Sequence, residues 1–258
     1  MRIMMVGDVV GKCGRRVLLK YTKKLKLEKN IDIVIVNGEN AAGGKGLTKP
    51  VLSELYGAGA DIVTSGNHIW DKKEIFEFID MEPFLLRPGN YPNNAPGKGY
   101  CIFPFKAQNV AAVNLSGRVF FECLDDPFQK IDEFLDEIKK ETNIIILDFH
   151  AEATSEKIAM GYYLDGRVSA VFGTHTQVQT ADERIFPKNT AYITDVGMTG
   201  PRDSILGVKK EIIIEKFLTA RPAHFDVAEG KGIYSAVVAD IDENGLAKNI
   251  ERILIYEE

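Results

Sequence analysis

Five apolar runs in this chain each stop abruptly at a short polar cluster. RIMMVGD (2–8) stops at Asp8, IDIVIVNGEN (31–40) at Glu39-Asn40 and ADIVTSGNH (60–68) at Asn67-His68. NIIILDFH (143–150) stops at His150, and RVSAVFGTH (167–175) at His175, with Gln177 two residues on. Runs this short and this continuously apolar read as buried strands. In parallel α/β sheets the strand C-termini gather along one edge, and ligands bind there.

The segments between the runs fit helices and loops. Val17, Tyr21 and Leu25 recur at helical spacing, as do Phe128, Ile131, Phe134, Leu135 and Ile138. Residues 50–56 read as another helix, and Asp71 with Glu74 as an N-cap and capping-box pair opening one more. Residues 87–99 read as a long loop. NTAYITDVG (189–197) reads as a strand, and the β-branched stretch from Glu211 as strands running to the C-terminus. No repeat or composition shift divides the chain, so residues 1–258 are expected to form one α/β domain.

Composition narrows the function. With a net charge of −5, the chain lacks the basic surface that general nucleic-acid binding requires. Its three cysteines, Cys13, Cys101 and Cys123, form no metal-binding pair or disulfide framework, which suits a reducing compartment. The apolar stretch at the N-terminus is too short for a membrane span. A cytoplasmic protein, not attached to membranes and assembling as a homo-oligomer, is the expectation.

Taken singly, each polar cluster has a structural explanation. Asp8 would cap the segment after its strand, Asn67-His68 would be a turn, and His150 a hydrogen-bonded core histidine. His224 is read as structural. Gly7, Gly11 and Gly14 do not have the spacing of a nucleotide-binding loop, and Cys13 stands where a hydroxyl would be needed. Taken together, three histidines, two asparagines, an aspartate and a glutamate at strand ends form a ligand inventory suited to iron, manganese or zinc. A carboxylate that bridges two cations makes a clamp for a phosphoryl group and lowers the pKa of bound water, while a separate histidine protonates the leaving oxygen. Asp148 and Glu152, on either side of His150, are candidates to orient it, and Arg87 and Arg202 are candidate phosphate contacts by charge.

The same residues resemble, in order, the motif series of calcineurin-like metallophosphoesterases. GDVVGKCGR, NGENAAGGKGLT, GNHIWDKKEI, DFHAEATSEK and AYITDVGMTGP are similar to the YmdB-like branch of bacterial phosphodiesterases, across essentially the whole chain. The resemblance implies a four-layer αββα sandwich of two mixed β-sheets flanked by helices. It also implies a dinuclear centre of Fe or Mn, with Zn an alternative, and hydrolysis of small or nucleotide phosphodiesters, 2′,3′- or 3′,5′-cyclic nucleotides among them. Carried over by position, Glu39 bridges the metals, and Asp8, Asn40 and residue 177 complete the first site. Asn67, His150 and His175 bind the second, and His68 is the general acid.

Position 177 departs from the pattern. The family motif is GTHTH, whereas this chain reads GTHTQ (173–177). A glutamine carbonyl is a weaker ligand than imidazole for borderline metals. Three explanations stand open at this point: a natural adaptation, an engineered substitution that weakens activity, or a mononuclear enzyme. The last two connect to an alternative function, a nucleotide-binding regulatory protein that keeps the fold and one metal but has lost turnover.

Overall fold

Alternation within the strands sorts their side chains into layers. In β1 (Arg2–Val6), Ile3 and Met5 point one way, Met4 and Val6 the other, and all four are fully buried. The computed structural model describes residues 1–258. After β1 come β2 (Asp8–Val9), α1 (Gly11–Glu28), β3 (Ile33–Asn37), α2 (Lys49–Ala58), β4 (Ile62–Thr64) and the short α3 (Ile75–Phe78). Then follow β5 (Tyr100–Phe105), β6 (Gln108–Ser116), α4 (Pro127–Ile138), β7 (Ile145–His150), α5 (Thr154–Tyr163) and β8 (Ala170–Thr174). The chain ends with β9 (Arg184–Ile185), β10 (Ala191–Ile193), β11 (Met198–Pro201), α6 (Lys210–Thr219), β12 (Gly232–Ile241) and β13 (Ala247–Tyr256).

One sheet runs β2-β11-β12-β1-β3-β4, with β13 also paired to β12, and the other runs β5-β6-β7-β8-β10-β9. Both are mixed: β1, β3 and β4 are mutually parallel while β12 is antiparallel to β1, and β6, β7, β8 and β10 are parallel between antiparallel edges. The sheets meet face to face through Ile3, Met5, Ile33 and Ile35 on one side and Ala112, Ile146, Phe172 and Ile193 on the other. Behind the first sheet, Met4, Val6, Val34 and Val36 pack with Val17 and Leu18 of α1 and with Leu52 and Leu55 of α2. Behind the second, Val113, Leu147 and Val171 pack with Ile131 and Leu135 of α4 and Met160 of α5. The result is the four-layer αββα sandwich that the family resemblance implies, and the double covering explains why its strands are apolar on both faces.

Two expectations are corrected. The stretch after Glu211 does not begin as strand: residues 210–219 form α6, in which Ile213 is the one buried residue. On a surface where packing does not decide, the helix propensity of the glutamates and lysines around the isoleucines outweighs the β-branched run. Asp71 and Glu74 do not form the expected capping box either: the Glu74 carboxylate instead accepts from the Lys49 N–H that opens α2, at 2.9 Å. Glu74 is itself helical with no side-chain cap bond, and the Asp71 carboxylate is turned to His68. No helix is long and apolar enough to cross a membrane.

Candidate metal centre

Parallel register brings the strand ends together. Ser116, His150 and Thr174 lie side by side at the ends of β6, β7 and β8, while the loops after β1, β3 and β4 come in from the other sheet. Around Nε2 of His150 stand Asn67 Oδ1 at 3.1 Å, His175 Nδ1 at 3.1 Å and Glu39 Oε2 at 3.2 Å. One N–H cannot point at three acceptors. A cation can: two ligand atoms at right angles, each about 2.1 Å from it, lie about 3.0 Å apart. Glu39, His150 and His175 form a compact group able to hold a metal ion. The second-site residues expected from the sequence are therefore brought together, and their donor set fits a borderline cation.

Neighbouring groups set which nitrogen faces the cluster. The Thr174 hydroxyl donates to Asp148 (2.6 Å), so it accepts from His150 Nδ1 at 2.9 Å and leaves Nε2 for the cluster. Asp148 is buried and also accepts from Thr64 (2.5 Å) and Asn37 (3.0 Å), so of its two readings the orienting one holds. Glu152 does not touch His150; it lies 3.1 Å from His175 Nε2 and so turns Nδ1 inward. Gly66 passes so close that a Cβ there would collide with His150 Nε2 and Glu39 Oε2.

The electrostatics are those of a site built for cations. Asp8, Glu39, Asp148 and Asp195 are all buried, and the one buried ammonium nearby is that of Lys157. Burial works against the His150 proton, but Glu39, with Asp8 and Asp148 behind it, pushes its pKa up to about 9. Burial likewise disfavours the Glu39 anion, yet His150 holds its pKa down at about 2. Burial and then the charge on His150 push His175 down to about 3, so its ring is neutral. The Asp8 carboxyl is raised well above the usual range by burial, against the pull of His150 and with Glu39 adding to the rise.

On the first-site side, Asp8 Oδ2 accepts from the His175 backbone N–H at 3.0 Å, while Asp8 Oδ1 and Gln177 Oε1 are buried acceptors without partners. Orphaned buried oxygens are costly in a finished structure, and a cation is what would satisfy them. The donor set fits here too, with one change. The Asn40 amide donates to the Gly44 carbonyl (3.1 Å), so its oxygen faces Gln177, whose Nε2 donates to it at 3.0 Å. The Asn40 oxygen that the resemblance assigns to the first metal thus already accepts a hydrogen bond from the residue that departs from the family motif.

His175 and Gln177 both hold a left-handed backbone, with φ of 96° and 64°. That conformation is strained in residues with a Cβ and is sustained by the surroundings. Thr176, between them, gives both its N–H (3.0 Å) and its hydroxyl (2.7 Å) to Asp195 Oδ2, which also accepts from Lys157 Nζ at 2.8 Å. Asp195 Oδ1 accepts from the Gly197 N–H at 2.8 Å. Sequence reading missed this anchor, although Lys157 and Asp195 both lie in quoted motifs. A lysine three residues into a helix looks like a surface residue until the fold buries it.

His68 lies at the rim of the cluster. Its N–H reaches Glu39 Oε2 at 3.2 Å, and its Nδ1 lies 3.0 Å from Asp71, leaving Nε2 for other work. Other candidates fall away. Arg87 is buried and spends its guanidinium on the carbonyls of Pro88, Ala95 and Pro96, so it cannot serve as a phosphate contact. Arg202 pairs with Asp203, and His224 is an exposed loop residue rather than a structural one.

Known proteins resemble this chain in sequence and fold. A family model described as YmdB-like protein matches residues 4–253. A 2′,3′-cyclic-nucleotide 2′-phosphodiesterase of Bacillus subtilis (strain 168) is 56% identical over 259 residues, covering 100% of this chain and 98% of that protein. The crystal structure of a novel phosphatase from Mycoplasma pneumoniae is similar, with TM-score 0.94 and 36% identity, covering 100% of this chain and 94% of that one. A 5′-nucleotidase precursor from Thermus thermophilus shares the fold alone, with TM-score 0.60 and 11% identity, covering 99% of this chain and 54% of that one.

Proposed function

This chain belongs to the YmdB-like family, on a metallophosphoesterase fold, and from that premise we propose that it is a metal-dependent phosphodiesterase. Its substrates are small or nucleotide phosphodiesters, nucleoside 2′,3′-cyclic phosphates first and 3′,5′-cyclic nucleotides second. The observation that carries the reading is the set of three acceptors crowded around His150 Nε2 at a strand-end edge. The substrate of the Bacillus subtilis relative supports the cyclic-nucleotide assignment.

Glu39, Asn67, His150 and His175 would hold one cation, and Asp8, Glu39 and Gln177 the other, with Fe or Mn the best match and Zn next. When bound, such a pair supplies charge for the phosphoryl oxygens and a nucleophile at neutral pH. His68 is the general acid: Asp71 receives its Nδ1–H, and Nε2 delivers a proton to the leaving ribose oxygen. Asp148, acting through Thr174, and Glu152 fix which nitrogen of His150 and of His175 faces the cations.

The test is hydrolysis of adenosine 2′,3′-cyclic phosphate and of bis-p-nitrophenyl phosphate by the chain reconstituted with Mn²⁺. Metal-dependent turnover of both is expected. If neither is cut, even by Gln177→His, the phosphodiesterase reading is overturned. The bond from Gln177 to Asn40 favours one second reading, a nucleotide-binding regulator with one metal and no turnover. It requires calorimetric binding of the cyclic nucleotide with no product formed.

A further inference from the structure

The loop that follows β6 lies against the metal centre and exposes aromatic surface that the fold does not use. Phe121 packs onto His175 with ring centroids 4.7 Å apart and reaches His150 at 6.1 Å. The adjacent Phe120 is 88% exposed and holds a left-handed backbone with φ of 64°. Val119 beside it is exposed as well. Left-handed backbone in a non-glycine residue costs energy and clusters at ligand sites, and Phe120 combines it with exposure directly beside the residue that packs on His175.

This tip is firmly held. The Gly117 N–H donates to the His150 carbonyl at 3.0 Å. The N–H groups of Arg118 and Val119 donate to the two oxygens of Glu156, at 2.9 and 3.2 Å. Arg118 reaches Asp126 at 2.9 Å, and the Asp125 N–H donates to the Asn90 carbonyl at 3.0 Å. A turn tied at its base and on both flanks presents its side chains without a large ordering cost on binding, which is what a recognition surface needs.

We propose that the Val119–Phe121 tip is the nucleobase subsite of this enzyme, with Phe120 the stacking face and Phe121 the packing contact that seats the tip beside His175. The inference rests on the cyclic-nucleotide reading above. In a nucleoside cyclic phosphate, one ribose separates the phosphorus from the base, so a phosphate at the metal centre carries its base to the rim of the site. Stacking there is tolerant of base identity, because every base offers a π-face. The subsite therefore selects nucleosides over other phosphodiesters without selecting strongly among bases.

The experiment compares adenosine 2′,3′-cyclic phosphate with methyl ribofuranoside 2′,3′-cyclic phosphate, which has no base, on the Mn²⁺-loaded enzyme and on Phe120→Ala and Phe120→Trp. The expected result is that the ratio of kcat/KM for the nucleotide to that for the base-free compound falls about tenfold in Phe120→Ala and is kept in Phe120→Trp. An unchanged ratio in Phe120→Ala, with both compounds hydrolysed, overturns the subsite and leaves the phosphodiesterase reading standing. If the wild type hydrolyses neither, calorimetric titration with adenosine 2′,3′-cyclic phosphate decides. Weaker binding to Phe120→Ala keeps the subsite on a chain without turnover, and equal binding, or none to either form, overturns it.

Discussion

The Lys157 ammonium lies 2.8 Å from the Asp195 carboxylate, both sealed from solvent, and that carboxylate carries the turn between His175 and Gln177. Removing one partner of a buried pair strands the other charge. Lys157→Met is expected to cost about 3–5 kcal/mol of stability and to weaken metal binding by about 10–100-fold. Adding Asp195→Leu removes the stranded charge but also takes the acceptor from the Thr176 N–H and hydroxyl and from the Gly197 N–H, so stability should not recover and metal affinity should fall further. Thermal unfolding and metal titration of the two variants separate these effects, and a double variant with normal metal affinity would refute the positioning role.

Gly66 touches the centre with its backbone. Gly66→Ala would press a methyl group onto His150 Nε2 and Glu39 Oε2. Elemental analysis should show about one metal fewer per chain, while the circular dichroism spectrum stays that of the folded protein. Full metal content in this variant would mean that the cation does not sit among these atoms.

Gln177 donates to Asn40, and both its own oxygen and Asp8 Oδ1 are left buried without partners. Gln177→His removes that donor amide and supplies an imidazole. Metal affinity or turnover should rise by about 10–100-fold. Equal metal content and equal rates in the two forms would show glutamine to be a full substitute.

His68 is distinguished from the metal ligands by what its loss would leave intact. His68→Asn should keep both metals and slow hydrolysis of a ribose phosphodiester by about 10²–10⁴-fold. A p-nitrophenolate leaving group hardly needs a proton, so bis-p-nitrophenyl phosphate should lose far less. Asp71→Asn should show the same leaving-group dependence in weaker form, through the 3.0 Å contact to Nδ1. Equal losses on both substrates would place His68 among the ligands instead.

Far from the site, Glu257 accepts from Arg16 (2.6 Å), Lys20 (3.0 Å) and the Gly232 N–H (2.7 Å). Burial tends to raise its pKa, but these donors hold it below the ordinary glutamate value of 4.5. A carboxyl depressed on folding contributes stability that is fully present above its unfolded value and is lost as pH falls through the folded one. The Tm advantage of wild type over Glu257→Gln should therefore be full near neutral pH and shrink below about pH 4.5. An advantage that persists unchanged into stronger acid would rule out this linkage.

The polar cluster at the strand ends was legible in sequence because polar residues that stop continuous apolar runs stand out, and parallel topology gathers such ends on one edge. The four layers were expected only through the resemblance of these motifs to calcineurin-like metallophosphoesterases. Less visible was what each polar residue would face. Asp71 has the spacing of a helix cap but turns to His68, and Arg87 has the charge for a phosphate yet is consumed by three carbonyls of its own loop. Such choices between nearby partners are made by tertiary geometry, to which spacing is blind. The α6 isoleucines mislead in the opposite direction, since a helix with one buried residue leaves no periodic stripe to read.

Glu156 and Lys157 are neighbours in α5, yet they hold opposite sides of the site. Glu156 ties down the 118–119 turn and Lys157, through Asp195, the turn at 176. A single peptide unit therefore acts as a ruler between the aromatic tip and the histidine loop. Val119 and Phe120, exposed at the tip, can vary without touching the histidines, whereas Phe121, packed on His175, cannot. A change in the pitch or rotation of α5 has no such freedom, because it would move both edges of the opening at once.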